Sequence, residues 1–149
     1  MHARVVKTGL FGTTLRLAPL QNGDTATVAA LLPCLGPSEL AQLASEDARH
    51  HTLVAWVDGE RTPAGFARLV RDGDGAEIVF AVSDRHRGKR VATTLARELL
   101  DDARTAGIAF VTATIDGSNR AALALLRRTA RVTSVRPEGG ALTVRASLY

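Results

Sequence analysis

Between Ala76 and Gly107 the chain reads AEIVFAVSDRHRGKRVATTLARELLDDARTAG. This is a buried strand, a short basic turn and a long helix in immediate succession. The strand is Glu77 to Val82, where apolar residues rich in β-branched and aromatic types follow one another. The turn is Ser83 to Arg90, and the helix runs from about Val91 to Arg104. The junction is restrictive because the first backbone N–H groups of a helix have no partner within it and point outward from its positive end. A strand that feeds this end through a basic turn is a site for phosphates, and so for a nucleotide-type cofactor.

The rest of the chain supplies strands and helices around that unit. Arg4–Lys7 and Thr13–Ala18 read as an N-terminal hairpin about Gly9–Gly12. Thr25–Leu32 has helical spacing and stops near Pro33; Glu39–Leu43 reads as a second short helix with Ser38 as its N-cap. Thr52–Val57, Ala64–Val70 and Ala76–Val82 are strands joined by Asp-Gly turns, the pattern of an antiparallel meander. After the long helix come a strand at Ile108–Ile115, a helix at about Arg120–Arg128, and a closing hairpin of Arg131–Arg136 and Ala141–Ser147 around Pro137–Gly140. The right-handed crossover rule sets strands 76–82 and 108–115 side by side and parallel. The fold class expected is mixed α+β: a mostly antiparallel sheet of six to seven strands flanked by about four helices, all within one domain spanning residues 1–149.

Composition removes several function classes. No apolar run approaches the ~20 residues of a membrane span, and the N-terminus MHARVVKTGLFG lacks the pattern of a signal peptide, so a cytoplasmic protein is expected. The single cysteine, Cys34, can form neither an internal disulfide nor a Cys-based zinc site alone and reads as a small core or loop residue. A net charge of +4 with only 4% aromatic residues and dispersed arginines does not support nucleic-acid binding. The exception is the dense group Arg85, His86, Arg87, Lys89 and Arg90, which lies where a phosphate-rich ligand needs it.

Element order from Arg16 to Leu148, and most sharply the stretch Ala76 to Leu126, resembles the GNAT superfamily of acetyl-CoA-dependent N-acetyltransferases, and most of all bacterial protein-acetyltransferase-like GNAT domains. The family's cofactor motif, Arg/Gln-x-x-Gly-x-Gly/Ala between strand and helix, matches Arg87-Gly88-Lys89-Arg90-Val91-Ala92, with Arg90 in place of the middle glycine. Asn119-Arg120-Ala121-Ala122 matches the Asn-x-x-Ala that opens the next helix. Ala76-Glu77-Ile78-Val79-Phe80 looks like the strand that carries the catalytic glutamate in protein-lysine acetyltransferases. The resemblance implies acetyl transfer from acetyl-CoA to a primary amine, of a protein lysine first and of a small molecule second. It also implies that the pyrophosphate of coenzyme A lies on the main-chain amides of Arg87, Gly88, Lys89, Arg90, Val91 and Ala92, that Thr93 and Thr94 add hydroxyl donors, and that Asn119 lies at the cofactor. The N–H of Val82 or a neighbour would polarise the thioester carbonyl, and Glu77 would act as general base, directly or through water. No metal, nucleic acid or membrane partner is expected; a homodimer is the assembly considered.

Each residue also has a plainer reading. Glu77 alternates with Val79 and Ala81, opposite Ile78, Phe80 and Val82, and serves equally well as a solvated strand carboxylate. Arg87 is a helix-flanking cation, which is unfavourable at a helix N-terminus unless an anion offsets it. Asn119 reads first as an N-cap, with Ser118 competing for that role. His86 is expected to be solvated, His50-His51 to be surface residues, and Trp56 to pack in the core or line the acceptor cleft. The position where the family carries a tyrosine acid is Leu126, and the Gly-Phe that usually follows its helix is replaced by Thr129-Ala130-Arg131. These departures support a rival reading, a non-catalytic acyl-CoA-binding or regulatory module; an interaction domain without cofactor is a third.

Overall fold

The structure, a computed structural model, describes residues 14–32, 35–45, 47–83, 86 and 90–149, together with the backbone of 4–7. Eight strands form one sheet in the order β1-β2-β3-β4-β5-β6-β8-β7. They are β1 (Arg4–Lys7), β2 (Thr14–Pro19), β3 (His50–Val57), β4 (Gly65–Asp72), β5 (Gly75–Val82), β6 (Phe110–Asp116), β7 (Arg131–Glu138) and β8 (Ala141–Ser147). The helices are α1 (Thr25–Leu31), α2 (Pro37–Leu43), α3 (Val91–Thr105) and α4 (Arg120–Thr129). The mixed, mostly antiparallel class is the one expected from sequence, with the short β1 extending the edge. Every pairing is antiparallel except β5 with β6, which the α3 crossover makes parallel.

The sheet carries helices on both faces, and the strand patterns show it. β4 is buried continuously from Gly65 to Leu69, because a central strand covered on both sides has no solvated face. On one face Leu15, Leu17, Leu53, Ala67 and Ile78 pack against Val91, Leu95, Leu99 and Ala103 of α3 and Leu126 of α4. These α3 residues recur at helical spacing, so one stripe of the helix enters the core. Emptying the fully buried Leu99 position by truncation to Ala costs about 2–5 kcal/mol by analogy with other cores. On the other face Leu20, Val54 and Phe66 receive Val28 of α1 and Leu40 and Leu43 of α2. Trp56 is half-buried against this second cluster, with the Arg16 guanidinium 5.1 Å from its ring centre.

Several local expectations change. Ser38 is not the cap of α2: the helix begins at Pro37 with Gly36 as N-cap and no side-chain cap bond. Proline suits the first helical position because its fixed φ is helical and its missing N–H would have been unpaired there anyway. β7 runs on through Pro137, and the closing turn contracts to Gly139-Gly140. β7 is the edge strand, so a residue without an N–H costs little there.

Candidate active site

β5 and β6 pair over only three residues, Gly75 with Phe110, Ala76 with Val111 and Glu77 with Thr112. β5 continues to Val82 and stays paired to β4 throughout, while β6 continues to Asp116 paired to β8. The sheet therefore splits open above Glu77. Ser83 N donates to Ala64 O on the β4 side. Strand alternation then turns the amides of Val82 and Phe80 the other way, toward the split that β6 has left. Phe110 is held at the foot of the split by its fit over Gly75, where an added Cβ would stand 2.3 Å from Phe110 Cε2.

A cavity of about 1240 Å³ fills the opening. Its walls come from the ends of β5 and β6 (Phe80, Val82, Ile115), the first turn of α3 (Val91, Ala92, Thr93), α4 and the last turn of α1. Arg90, Arg97 and Arg128 line it, and no carboxylate among the described residues does. The N-terminus of α3 opens onto the same space, adding its unpaired amides and positive dipole end. A long, partly apolar cleft with this charge suits an extended ligand that is anionic at one end.

The sequence-predicted residues fall as follows. Val82, Arg90, Val91, Ala92, Thr93 and Asn119 all line the cavity. Arg87, Gly88 and Lys89, as well as Arg85 and Cys34, lie outside the described residues. Arg90 is the N-cap of α3 at φ 59° and ψ 23°, a left-handed conformation in which arginine replaces the glycine that tolerates it. The Val91 side chain belongs to the core, so only its backbone is available to a ligand. Asn119 caps α4: its Oδ1 accepts from Ala122 N at 3.1 Å. Ser118 does not compete, because its hydroxyl donates to Asp116 Oδ1 at 2.5 Å and its N–H to the same oxygen at 2.9 Å. These bonds hold the Asp116 carboxyl below the usual carboxylate range, the Ser118 hydroxyl contributing most.

Glu77 is exposed on the α1/α2 face and is not part of the cavity wall. It stands three residues, about 10 Å of strand, below Phe80, where the wall begins. His50 and His51 each meet a carboxylate: His50 Nδ1 lies 2.8 Å from Asp47 Oδ1 and His51 Nε2 3.4 Å from Asp102 Oδ2. The expectation for His86 is overturned. It is 1% exposed rather than solvated, with Nε2 3.1 Å from Glu60 Oε1. Its ring therefore meets the β3–β4 connection, and its own N–H donates to Ser83 O at 2.9 Å. No local signal marks this burial, since the partner carboxylate lies 26 residues earlier. Leu126 is 2% exposed and both packs in the core and lines the cavity. Tyr149 does not replace the absent phenol: it is 68% exposed, and its hydroxyl donates to Arg104 O at 3.2 Å.

A mixed sheet split between two parallel strands, with a helix N-terminus over the split, is the architecture of GNAT acyltransferases. The profile of the acetyltransferase (GNAT) family matches residues 24–130, and the chain belongs to that family. The fold is shared with the GNAT domain of S. lividans PAT at 20% identity and TM-score 0.81, covering 97% of this chain and 96% of that one. It is shared with the ribosomal-protein-S18-alanine N-acetyltransferase of Escherichia coli at 18% identity and TM-score 0.75, covering 90% and 94%. An acetyltransferase of Bacillus subtilis, solved in complex with CoA, is similar at 17% identity and TM-score 0.70, covering 91% and 99%. No curated protein matches the sequence.

Proposed function

We propose that this protein transfers an acetyl group from acetyl-CoA to a primary amine, of a protein lysine or of a small molecule. The observation that carries this reading is the early end of β5–β6 pairing above an arginine-lined cavity at the α3 N-terminus, which no carboxylate among the described residues lines. The residues present fit coenzyme A, because the guanidiniums and free helix amides meet its phosphates and the split strand meets its amide-bearing arm. When bound, acetyl-CoA supplies the activated thioester. The chain's own groups then act on it by position. The backbone of Arg87 to Ala92 and the Thr93 hydroxyl hold the diphosphate, and Asn119 keeps the start of α4 at the cofactor. The Val82 amide, pointing into the split, offers a fixed donor to the carbonyl oxygen as charge develops there. Glu77, an unburied carboxylate at the foot of the split, takes the ammonium proton of the acceptor, through water, so that a neutral amine attacks.

A second reading is favoured by one specific observation. Leu126 occupies the place of the family's tyrosine acid, and no phenol lines the cavity among the described residues. A binding module without turnover follows from that loss. Calorimetric titration with acetyl-CoA, combined with thiol release in the presence of an amine panel, tests both. Binding with thiol release supports the enzyme, and binding without it supports the module. No binding at millimolar ligand removes both. Glu77→Gln is expected to lower turnover at least tenfold while leaving CoA affinity unchanged; an unaltered rate removes Glu77 as base.

A further inference from the structure

The cavity is not uniform in its chemistry, and its two halves lie on opposite faces of the sheet. Phe80, Val82 and Ile115 pack against the cluster under α3 and α4, whereas Ala81, Leu31 and Leu32 pack against the cluster under α1 and α2. All six line the cavity, so it reaches both faces through the gap that β6 leaves beside β5. The arginines of its wall, Arg90, Arg97 and Arg128, and its amide side chain, Asn119, stand on or next to α3 and α4. What α1 contributes is Ala30, Leu31 and Leu32. Together with Ala81 of β5 these residues form a wall without a charged or hydrogen-bonding side chain.

A ligand whose phosphates meet the cationic half has its other end carried through the gap to the apolar half. With the carbonyl oxygen of a thioester at the Val82 amide, the neighbouring Ala81 turns its side chain to the α1 face by strand alternation. The atoms attached to that carbonyl carbon belong to the acyl group, so the acyl group is the first part of the ligand to reach Ala81, Leu31 and Leu32. A methyl leaves most of this wall wet. A longer hydrocarbon removes it from water, and the gain grows with the apolar area covered. An ammonium finds no acceptor on the same wall and would lose its hydration there. Glu77, farther down that face of β5, leaves the amine a separate approach.

We propose that the cavity selects an acyl-CoA whose acyl group is an unbranched hydrocarbon longer than acetyl, seated on Ala30, Leu31, Leu32 and Ala81. This rests on the coenzyme A reading of the cavity and narrows the donor within it. The transfer balances as it does for acetyl: the amine nitrogen bonds the acyl carbon as the C–S bond breaks, and a proton from the amine ends on the CoA sulfur.

Calorimetry of the full chain with CoA, acetyl-CoA, butyryl-CoA and succinyl-CoA tests the assignment. The two methylenes that butyryl adds are expected to tighten binding about tenfold over acetyl-CoA, somewhat below the ~15-fold that their full burial gives. Succinyl-CoA, which ends a chain of similar length in a carboxylate, is expected to bind less tightly than butyryl-CoA. Ala30→Asp, at an exposed position of α1 outside the buried core, is expected to cut the butyryl-to-acetyl affinity ratio to about twofold or less. An unchanged ratio in that variant overturns the proposal. Equal affinities for acetyl-CoA and butyryl-CoA in the wild type, or weaker binding of butyryl-CoA, overturn it whether or not the variant folds, and leave the coenzyme A reading standing. Succinyl-CoA binding as tightly as butyryl-CoA puts the acyl end against the arginines and overturns it too. Failure of CoA and of every thioester to bind at millimolar ligand overturns the cofactor reading and this proposal with it.

Discussion

Arg68 reaches from the middle of β4 to the end of α2, where its Nη1 lies 2.6 Å from Leu43 O. Nη1 also donates to Thr52 Oγ1 at 3.0 Å and Nη2 to Gln42 O at 3.0 Å. A buried cation at a helix C-terminus meets the carbonyls that no helical N–H can satisfy, and it complements the negative end of the dipole. This seven-residue helix is too short to persist by itself, so the arginine fixes where it lies on the sheet.

Arg68→Met is therefore expected to destabilise the protein by about 3 kcal/mol, since two part-buried carbonyls and the buried Thr52 hydroxyl lose a charged partner at once. Urea unfolding measures this. A change within about 0.5 kcal/mol, the size of an ordinary surface substitution, contradicts the role assigned to Arg68.

Arg90 in the left-handed region gives the opposite sign. Arg90→Gly is expected to raise stability by about 1 kcal/mol by removing the Cβ clash, whereas Arg90→Ala, which keeps the Cβ, is expected to leave the strain in place. The denaturation midpoints of the two variants check the contrast. If the guanidinium also grips a phosphate, both variants weaken CoA binding together despite their different stabilities.

Asn119 has two roles that substitutions separate. Asn119→Ala removes the bond to Ala122 N and is expected to cost about 1 kcal/mol. Asn119→Asp preserves the cap but adds a negative charge at the cavity wall, so stability is expected to hold while CoA affinity falls severalfold. Thermal unfolding and calorimetry on the same samples supply both readings; unchanged affinity in the aspartate variant removes Asn119 from the cofactor's surroundings.

Asp116 supplies a pH dependence. The Ser118 hydroxyl and amide stabilise its charged form, which lowers its folded value below the unfolded one. The stability this contributes is complete above the unfolded value and is lost as pH falls through the folded value. Ser118→Ala is expected to raise the Asp116 midpoint toward that of an ordinary carboxyl. Carboxyl carbon shifts followed by NMR across an acid titration report it, and an unmoved midpoint contradicts the assigned cause.

The legible parts of this protein are the ones governed by near neighbours. Periodicity placed β5 and α3. Alternation set Glu77 against Ile78. The helix start at Arg120 was readable from Asn119, although the choice of Asn119 over Ser118 depended on Asp116 occupying the serine. Ser38 misled as a cap because Pro37 is a stronger start signal than a serine one residue later. Pro137 misled as a turn residue because its tolerance depends on β7 being an edge strand, which no local pattern states.

By itself the sequence determined the strand–turn–helix unit, the alternation of its faces and the family resemblance, since backbone hydrogen-bond periods and side-chain spacing act over a few residues. Tertiary structure alone decided where β5 and β6 part, that Arg90 takes a positive φ, and that His86 is buried against Glu60. It also decided that Arg68 meets Leu43. Those outcomes depend on groups that lie far apart along the chain and meet only when the sheet closes and its helices dock, because burial and hydrogen-bond satisfaction are settled over the whole molecule at once.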